Sequence, residues 1–306
     1  LVADLREDAD RALLHRILAR ADVLVQNLRP GALDRYGFDH ETLAAENPRL
    51  IRCDVAGFGS DTPLAARGAY DLLVQAESGL AAITGAPEAP GRVGVSICDI
   101  TTGMSAHAAI LEALVARSIT GRGGRIEATL FDTAAELMAV PLLHFDYAGR
   151  APERVGLAHP SIAPYGVVSA SDGAQILIGV QNPREWRALC AELLGDAALA
   201  DDPRFAANAD RVAHRDALDA LVAAAAARLD GAGLRAALER ADVPFAPLAS
   251  VADLSAHPAL HRIRIGTPSG PAAAPAPGAR RLDAPRDYGP APALGAQSEA
   301  IRAEFG

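Results

Sequence analysis

The residues with the clearest chemical potential lie in Gly91-Arg-Val-Gly-Val-Ser-Ile-Cys-Asp-Ile-Thr-Thr-Gly103. The apolar run Val93 to Ile97 reads as a buried strand that ends in one carboxylate, Asp99. Thr101-Thr-Gly103 reads as a turn, and an Ala-rich helix is expected from about Met104 to Arg117. A lone acid between a strand end and a helix start sits where open α/β sheets place their ligands. Two roles suit it. As a helix N-cap, its oxygen would accept from the first helical N–H groups. As a nucleophile, kept ionised by the dipole-positive helix start, it would attack an activated acyl group and form a covalent intermediate. Residue type and spacing leave both open.

Other segments offer weaker chemistry. Asn27-Leu-Arg-Pro-Gly-Ala-Leu-Asp-Arg35 is a strand-end turn that opens a helix. Its backbone N–H groups and two guanidiniums suit a phosphate, and equally suit a turn with solvated arginines. Gly57-Phe-Gly59 is a paired-glycine loop, which permits close backbone approach to a ligand or makes a plain turn. Gly121-Arg-Gly-Gly124 lacks dinucleotide-loop or P-loop spacing and reads as a helix C-cap. The histidines are scattered and form no metal-site motif, and structural roles are expected for His144 and His159. Gly-x-Ser-x-Gly is absent, so an α/β-hydrolase elbow has no support. Cys98 is expected as a small core residue beside Asp99, facing the other way along the strand.

The elements that must carry these groups alternate along the first 135 residues. Strands are expected at Leu1–Leu5, Asp22–Gln26, Leu50–Val55 and Arg125–Leu130. Helices are expected at Asp8–Ala21, where Leu13, Leu14, Ile17 and Leu18 share a face, and in short pieces at Ala32–Tyr36 and Asp39–Asn47. Such alternation argues for βαβ units in a doubly wound parallel sheet. Residues 136–160 hold three prolines and no clean period, and read as a linker. From 161 to 250 the pattern becomes α+β: a hairpin, Tyr165–Ala170 and Gln175–Val180 about Ser171-Asp-Gly173, then helices near 184–194, 215–228 and 231–241. Residues 251–306, Pro-, Gly- and Ala-rich from 265 to 293, read as a linker returning to the first domain.

Bulk composition limits the partners. The 306 residues are half apolar with only 4% aromatics, so Ala, Leu and Val fill the core. Net charge is −9, all 29 cationic side chains are Arg, and no basic run exists, which argues against nucleic acid. Three scattered cysteines suggest a reduced, cytoplasmic setting without disulfides or a metal site. No apolar run reaches about 18 residues, so no membrane span is expected. The chain begins at Leu1 as if a strand were entered abruptly, and an upstream segment is expected.

Taken together, six segments resemble the class III coenzyme A-transferase family, which includes formyl-CoA and carnitine CoA-transferases and, as a side branch, α-methylacyl-CoA racemases. They are Ala21–Gly31, Asn47–Ile51, Gly57–Gly59, Tyr70–Ala76, Asp99–Gly103 and Thr120–Gly123, in the family's order. The resemblance implies a Rossmann-like large domain, a smaller α+β domain and an interlocked homodimer. It implies a further N-terminal βα segment, with a Gln near the reaction centre, and the chain is expected to start after it. It makes Asp99 the catalytic aspartate and places Asn27, Leu28, Arg29, Ala32, Arg35, Gly57, Phe58, Gly59, Tyr70 and Asp71 around CoA and substrate. The racemase branch has a His at the Tyr70 position, and a phenol, titrating near 10 in model peptides, is a poor proton shuttle at neutral pH. Transfer of CoA between an acyl-CoA and a carboxylic acid is therefore expected, with no tightly bound cofactor. The segments Leu73–Gly79 and Ala158–Tyr165 resemble transferases of C4–C5 dicarboxylates such as mesaconate, itaconate, citramalate and succinate. Arg29, Arg150 or His159 would then meet a second carboxylate. The alternatives are a 2-methylacyl-CoA racemase and a non-catalytic CoA-binding subunit.

Overall fold

The computed structural model describes residues 1–284 and 286–306. In chain order the elements are α1 (Asp8–Leu18), β1 (Val23–Gln26), a 3₁₀ turn (Asp34–Tyr36), α2 (His40–Glu46), β2 (Ile51–Ala56), α3 (Asp71–Glu77), α4 (Leu80–Ile83), β3 (Gly85–Ala86), β4 (Ala89–Pro90), α5 (Ile97–Thr120), β5 (Gly124–Thr129), α6 (Leu130–Leu137) and α7 (Ala139–Ala148). They continue with β6 (Tyr165–Ser169), β7 (Gln175–Gly179), α8 (Pro183–Leu189), a π turn (Cys190–Leu194), a 3₁₀ turn (Ala197–Asp201), α9 (Asn208–Ala213), α10 (Arg215–Ala226), α11 (Gly231–Arg240), β8 (Phe245–Pro247), α12 (Val251–Ala256), β9 (Arg262–Thr267), β10 (Gly270–Pro275) and α13 (Ser298–Phe305). The chain forms two compact units. The first holds Leu1–Ala81, Arg92–Leu143 and Ala259–Gly306, and the second Ala82–Gly91 and His144–Pro258.

The first unit is built on a parallel sheet of order β1-β2-β5. Its middle strand, Ile51-Arg-Cys-Asp-Val-Ala56, is buried over four residues, as expected of a strand covered on both faces. One face packs Leu18, Leu33, Phe38, Leu43 and Leu50. Cys53, Ala106 and Ala128 meet where α5 crosses β2 and β5. Small residues there let the helix lie close to the sheet. Gly123 is required where α5 returns to β5, because a Cβ would lie 2.1 Å from the Leu50 carbonyl oxygen.

Several expectations are corrected. Val93–Ile97 is not a strand: α5 begins at Ile97, seven residues before the expected start, so Asp99 lies in its first turn. The Thr-Thr-Gly turn is helical because Thr101 and Thr102 donate their hydroxyls to the carbonyls of Ile97 and Cys98, four residues back, at 2.6 Å each. Leu1–Leu5 forms no strand; the Val2 N–H is taken instead by the Ser298 hydroxyl at 2.9 Å. The aperiodic stretch after 136 contains α7, parted from α6 near Leu137, whose carbonyl would have bonded the N–H that Pro141 lacks. Part of the Pro- and Ala-rich stretch pairs as the antiparallel ladder β9–β10.

In the second unit, β6-β7-β8 form an antiparallel sheet, with Gly173 at φ 84° in the expected hairpin turn. Trp186, Leu189, Phe205, Leu218, Leu234 and Leu238 fill its core.

Candidate active site

The candidate residues lie on the loops that follow β1 and β2 and at the starts of α3 and α5. After β1, Asn27 donates its side-chain N–H to the Val55 carbonyl at 2.9 Å, tying the turn to the end of β2. The Leu28 N–H donates to Gln26 Oε1 at 2.7 Å. Gly31, at φ 74°, turns the chain so that Ala32 and Arg35 donate their N–H groups to the carbonyls of Arg29 and Gly31. Arg29 and Arg35 are exposed, and neither makes an ion pair among the described residues. They are available to an anion.

Beneath this turn lies a buried charge network. Arg52, 4% exposed, donates to Asp54 at 2.8 Å, to Asp34 at 3.0 Å and to the Phe38 carbonyl at 2.7 Å. Asp54 also accepts from Gln26 at 2.8 Å and from Arg125 at 3.1 Å. Burial alone would raise the Asp54 pKa, but the hydrogen bonds from Gln26, Arg52 and Arg125 outweigh it and hold the carboxyl below its usual range.

The loop after β2 is fixed by packing. A Cβ on Gly57 would lie 2.3 Å from the Ala69 Cβ, so the glycine lets the segment before Tyr70 approach. The Phe131 N–H donates to the Gly57 carbonyl at 3.1 Å. Phe58, expected near a ligand, turns inward: its ring is 4% exposed and lies 5.5 Å from that of Phe131. Gly59 is buried, and its backbone, like that of Gly57, is what the loop can offer.

Tyr70 and Asp71 start α3 and meet α5. Tyr70 is 76% exposed. Asp71 Oδ1 accepts from the N–H groups of Cys98 at 2.8 Å and Asp99 at 3.3 Å, and Oδ2 accepts from Gln75 at 2.6 Å. Gln75, fully buried, accepts the Val93 N–H at 2.9 Å. These bonds settle the capping question. The first N–H groups of α5 are met by Asp71 from another helix, and Asp99, already inside the helix, caps nothing. Its exposed carboxyl is raised in pKa, first by desolvation and then by the Asp71 charge. Cys98 is fully buried, packed with Val74, Leu130 and Ala134, and its thiol is pushed up to about 11 by burial, so it is inert as a nucleophile. At the far end of α5, Arg117 donates to Asp22 Oδ1 at 2.8 Å and to the Arg49 carbonyl at 2.9 Å. The helix that presents Asp99 is thus held at both ends.

The first unit therefore carries an exposed carboxylate, Asp99, in the first turn of α5, whose leading N–H groups are held by Asp71 next to the exposed Tyr70, and two exposed guanidiniums without ion pairs on the turn after β1. The model of CoA-transferase family III matches residues 1–298. The chain belongs to that family. It is 38% identical over its whole length to an acetyl-CoA:oxalate CoA-transferase of Acetobacter aceti, of which it spans 79%. Over 84% of its length it is 38% identical to a succinate–glutarate CoA-transferase of Agrobacterium fabrum, of which it spans 64%. Among solved structures, a CAIB/BAIF family protein from Brucella suis shares 38% identity with a TM-score of 0.84, covering 99% of this chain and 80% of that one. Family membership accords with the six segments that carry the family resemblance, all of which lie in the first unit.

Sequence reasoning missed Gln75 as the link between Asp71 and Val93, and missed the Arg52–Asp54–Arg125 network. The alternation of charge in Arg52-Cys-Asp54, inside a strand otherwise read as apolar, was its available signal. Among the described residues no cluster of His, Cys, Asp or Glu could hold a metal ion, and no helix is long and apolar enough to cross a membrane.

Proposed function

We propose that this chain moves coenzyme A between an acyl-CoA and a small carboxylic acid, with Asp99 as nucleophile. The observation that carries this reading is the setting of Asp99: an exposed carboxylate in the first helical turn, relieved of capping by Asp71. Asp99 Oδ attacks the thioester carbonyl of the donor, giving a mixed anhydride and CoA thiolate. The thiolate attacks the aspartyl carbonyl, releases the donor acid and leaves an aspartyl-CoA thioester. The acceptor carboxylate then attacks that thioester, and the steps run in reverse to give the new acyl-CoA and free Asp99. Every bond broken is replaced by one of similar energy, so the chemistry asks the protein for position and N–H donors rather than for an external energy source.

The loops after β1 and β2 would hold CoA. Arg29 and Arg35 would meet its phosphates, with the backbone of Asn27, Leu28 and Ala32 beside them. Gly57, Phe58 and Gly59 would lie along the pantetheine through backbone contacts, and Tyr70 would face the acyl group. Relatives named for oxalate and for succinate and glutarate support a dicarboxylic acceptor, and succinyl-CoA is the donor we assign to this reading. The finer architecture belongs to the same reading: a Rossmann-like, doubly wound first domain, an interlocked homodimer, a cytoplasmic setting and no tightly bound cofactor.

The test is incubation with succinyl-CoA and a panel of carboxylic acids, with new CoA esters followed by mass spectrometry. Asp99→Ala is expected to abolish ester formation, and Asp99→Asn nearly so, since an amide is a far weaker nucleophile. Ester formation that survives Asp99→Ala would sink the reading. α-Deuterium exchange without transfer would replace it with racemase chemistry, and CoA binding without either would leave a binding subunit.

A further inference from the structure

A cavity of about 320 Å³ is built wholly within the second unit, outside every residue given a role under the proposed function, although Ala158, Pro164 and Tyr165 of its lining belong to the segment compared above with dicarboxylate transferases. Its volume is at the low end of the range for small-molecule pockets, roughly 300–1,000 Å³. Its walls are apolar, chiefly Leu157, Pro164, Val168, Ile178 and Val222, and its only charged lining side chain is Asp219 on α10.

The walls are braced. Arg215 donates one nitrogen to the carbonyls of His159, at 2.8 Å, and Ile162, at 3.0 Å, fastening the segment before β6 to α10. The His159 N–H donates to the Tyr165 carbonyl at 3.1 Å, and the two rings stack with centroids 5.3 Å apart. A ligand would therefore meet a formed cavity and would not have to order a loop.

The polar groups inside it are unusual for an apolar cavity. β6 is an edge strand. In its ladder with β7, Pro164 and Ala170 bond inward, so the alternation of an antiparallel pair turns the Val167 N–H and C=O outward, on the side where Tyr165 meets His159. Val167 lines the cavity, and among the described residues its backbone groups have no partner. The Asp219 carboxylate makes no ion pair among the described residues, because the nearest cation on its helix, Arg215, is spent on the two carbonyls. Although Asp219 reaches solvent, the walls crowd its carboxyl enough that desolvation raises its pKa, against the pull of Arg215.

We infer that this cavity is a binding site for a small organic cation, an apolar body of a few carbons carrying one ammonium group that pairs with Asp219. An acceptor-only carboxylate at an apolar cavity discriminates by charge. A cation gains a charge-assisted hydrogen bond, a neutral alcohol of the same shape gains less, and an anion is repelled. The site does not depend on the proposed chemistry at Asp99, since neither Asp219 nor any other lining residue is among those proposed to hold CoA or to react.

The test is calorimetric titration of the full chain at pH 8 with hexylammonium, hexan-1-ol and hexanoate. Hexylammonium is expected to bind saturably, about tenfold more tightly than hexan-1-ol, with no binding of hexanoate. Asp219→Asn, which keeps shape and removes charge, is expected to bring hexylammonium down to the level of the alcohol. Ala223→Phe, which fills the cavity from its wall, is expected to remove binding of both. A melting curve for each variant separates lost binding from lost folding. The inference is overturned if hexylammonium shows no saturation by about 10 mM, if hexanoate binds equally, if folded Asp219→Asn keeps full affinity, or if CoA displaces the cation.

Discussion

Replacing Asp71 tests how the reactive helix is held. Asp71→Ala removes the acceptor of the Cys98 and Asp99 N–H groups and the acceptor of Gln75. Loss of a helix cap costs about 1 kcal/mol. Gln75 is fully buried, and leaving its amide N–H unpaired adds about 1–3 kcal/mol. The expected total is about 2–4 kcal/mol, and at about 2–4 °C per kcal/mol the melting point should fall by about 4–16 °C. Asp71→Asn keeps one accepting oxygen for the helix but turns an N–H toward the Gln75 N–H, so its loss should be intermediate. The same change has a chemical signature. The negative charge of Asp71 is the second cause, after desolvation, of the raised Asp99 pKa. Removing it favours ionised Asp99, so the acid limb of kcat/KM should move to lower pH in Asp71→Asn. Calorimetric melts and pH–rate profiles of transfer measure the two effects. Unchanged melting in Asp71→Ala, or an acid limb that moves to higher pH in Asp71→Asn, would refute the reasoning.

Other expectations follow from the same contacts. Arg52→Met strands Asp54 with Gln26 and Arg125 alone and should cost about 3 kcal/mol, at the low end for breaking a buried pair, read from urea denaturation. Because the folded pKa of Asp54 is depressed, its contribution is present above the unfolded carboxylate range and is lost as pH falls through the folded value. Wild-type stability should therefore decline on acidification, and Asp54→Asn should flatten that part of the curve. Gly123→Ala drives a methyl group into the Leu50 carbonyl and should destabilise by about 3 kcal/mol, whereas Gly124→Ala, with open space at its Cβ, should cost under about 1 kcal/mol.

Much of the first unit was legible because its signals are local. β1 is a short apolar run, β2 and β5 alternate apolar with polar residues, all three are bounded by turn residues, and the second-unit hairpin announces itself through Asp172-Gly173. The start of α5 was not, for two reasons. Thr101 and Thr102 look like turn formers until their hydroxyls are seen to close on carbonyls four residues back. The group that caps the helix is 27 residues away in sequence, and no local pattern reports it. α7 escaped because its apolar residues surround the axis: Val140, Leu142, Leu143, Phe145 and Tyr147 are all exposed within the chain, so no single stripe marks a face.

That misplaced boundary bears on function. Had Asp99 ended a strand, capping and nucleophilic attack would have competed for one carboxylate, since a cap gives its lone pairs to backbone N–H groups. In the folded chain Asp71 does the capping, and nucleophilic attack is the role we propose for Asp99. Asp71 takes the N–H groups, and the position of Asp99 two residues into the helix leaves its own oxygens outward. The pairing carries a cost, because Asp71 brings a like charge close and works against ionisation of Asp99. A raised pKa also means a more basic carboxylate, which attacks an acyl carbon more readily once ionised. The neighbour that frees Asp99 from structural duty is thus the one that tunes it.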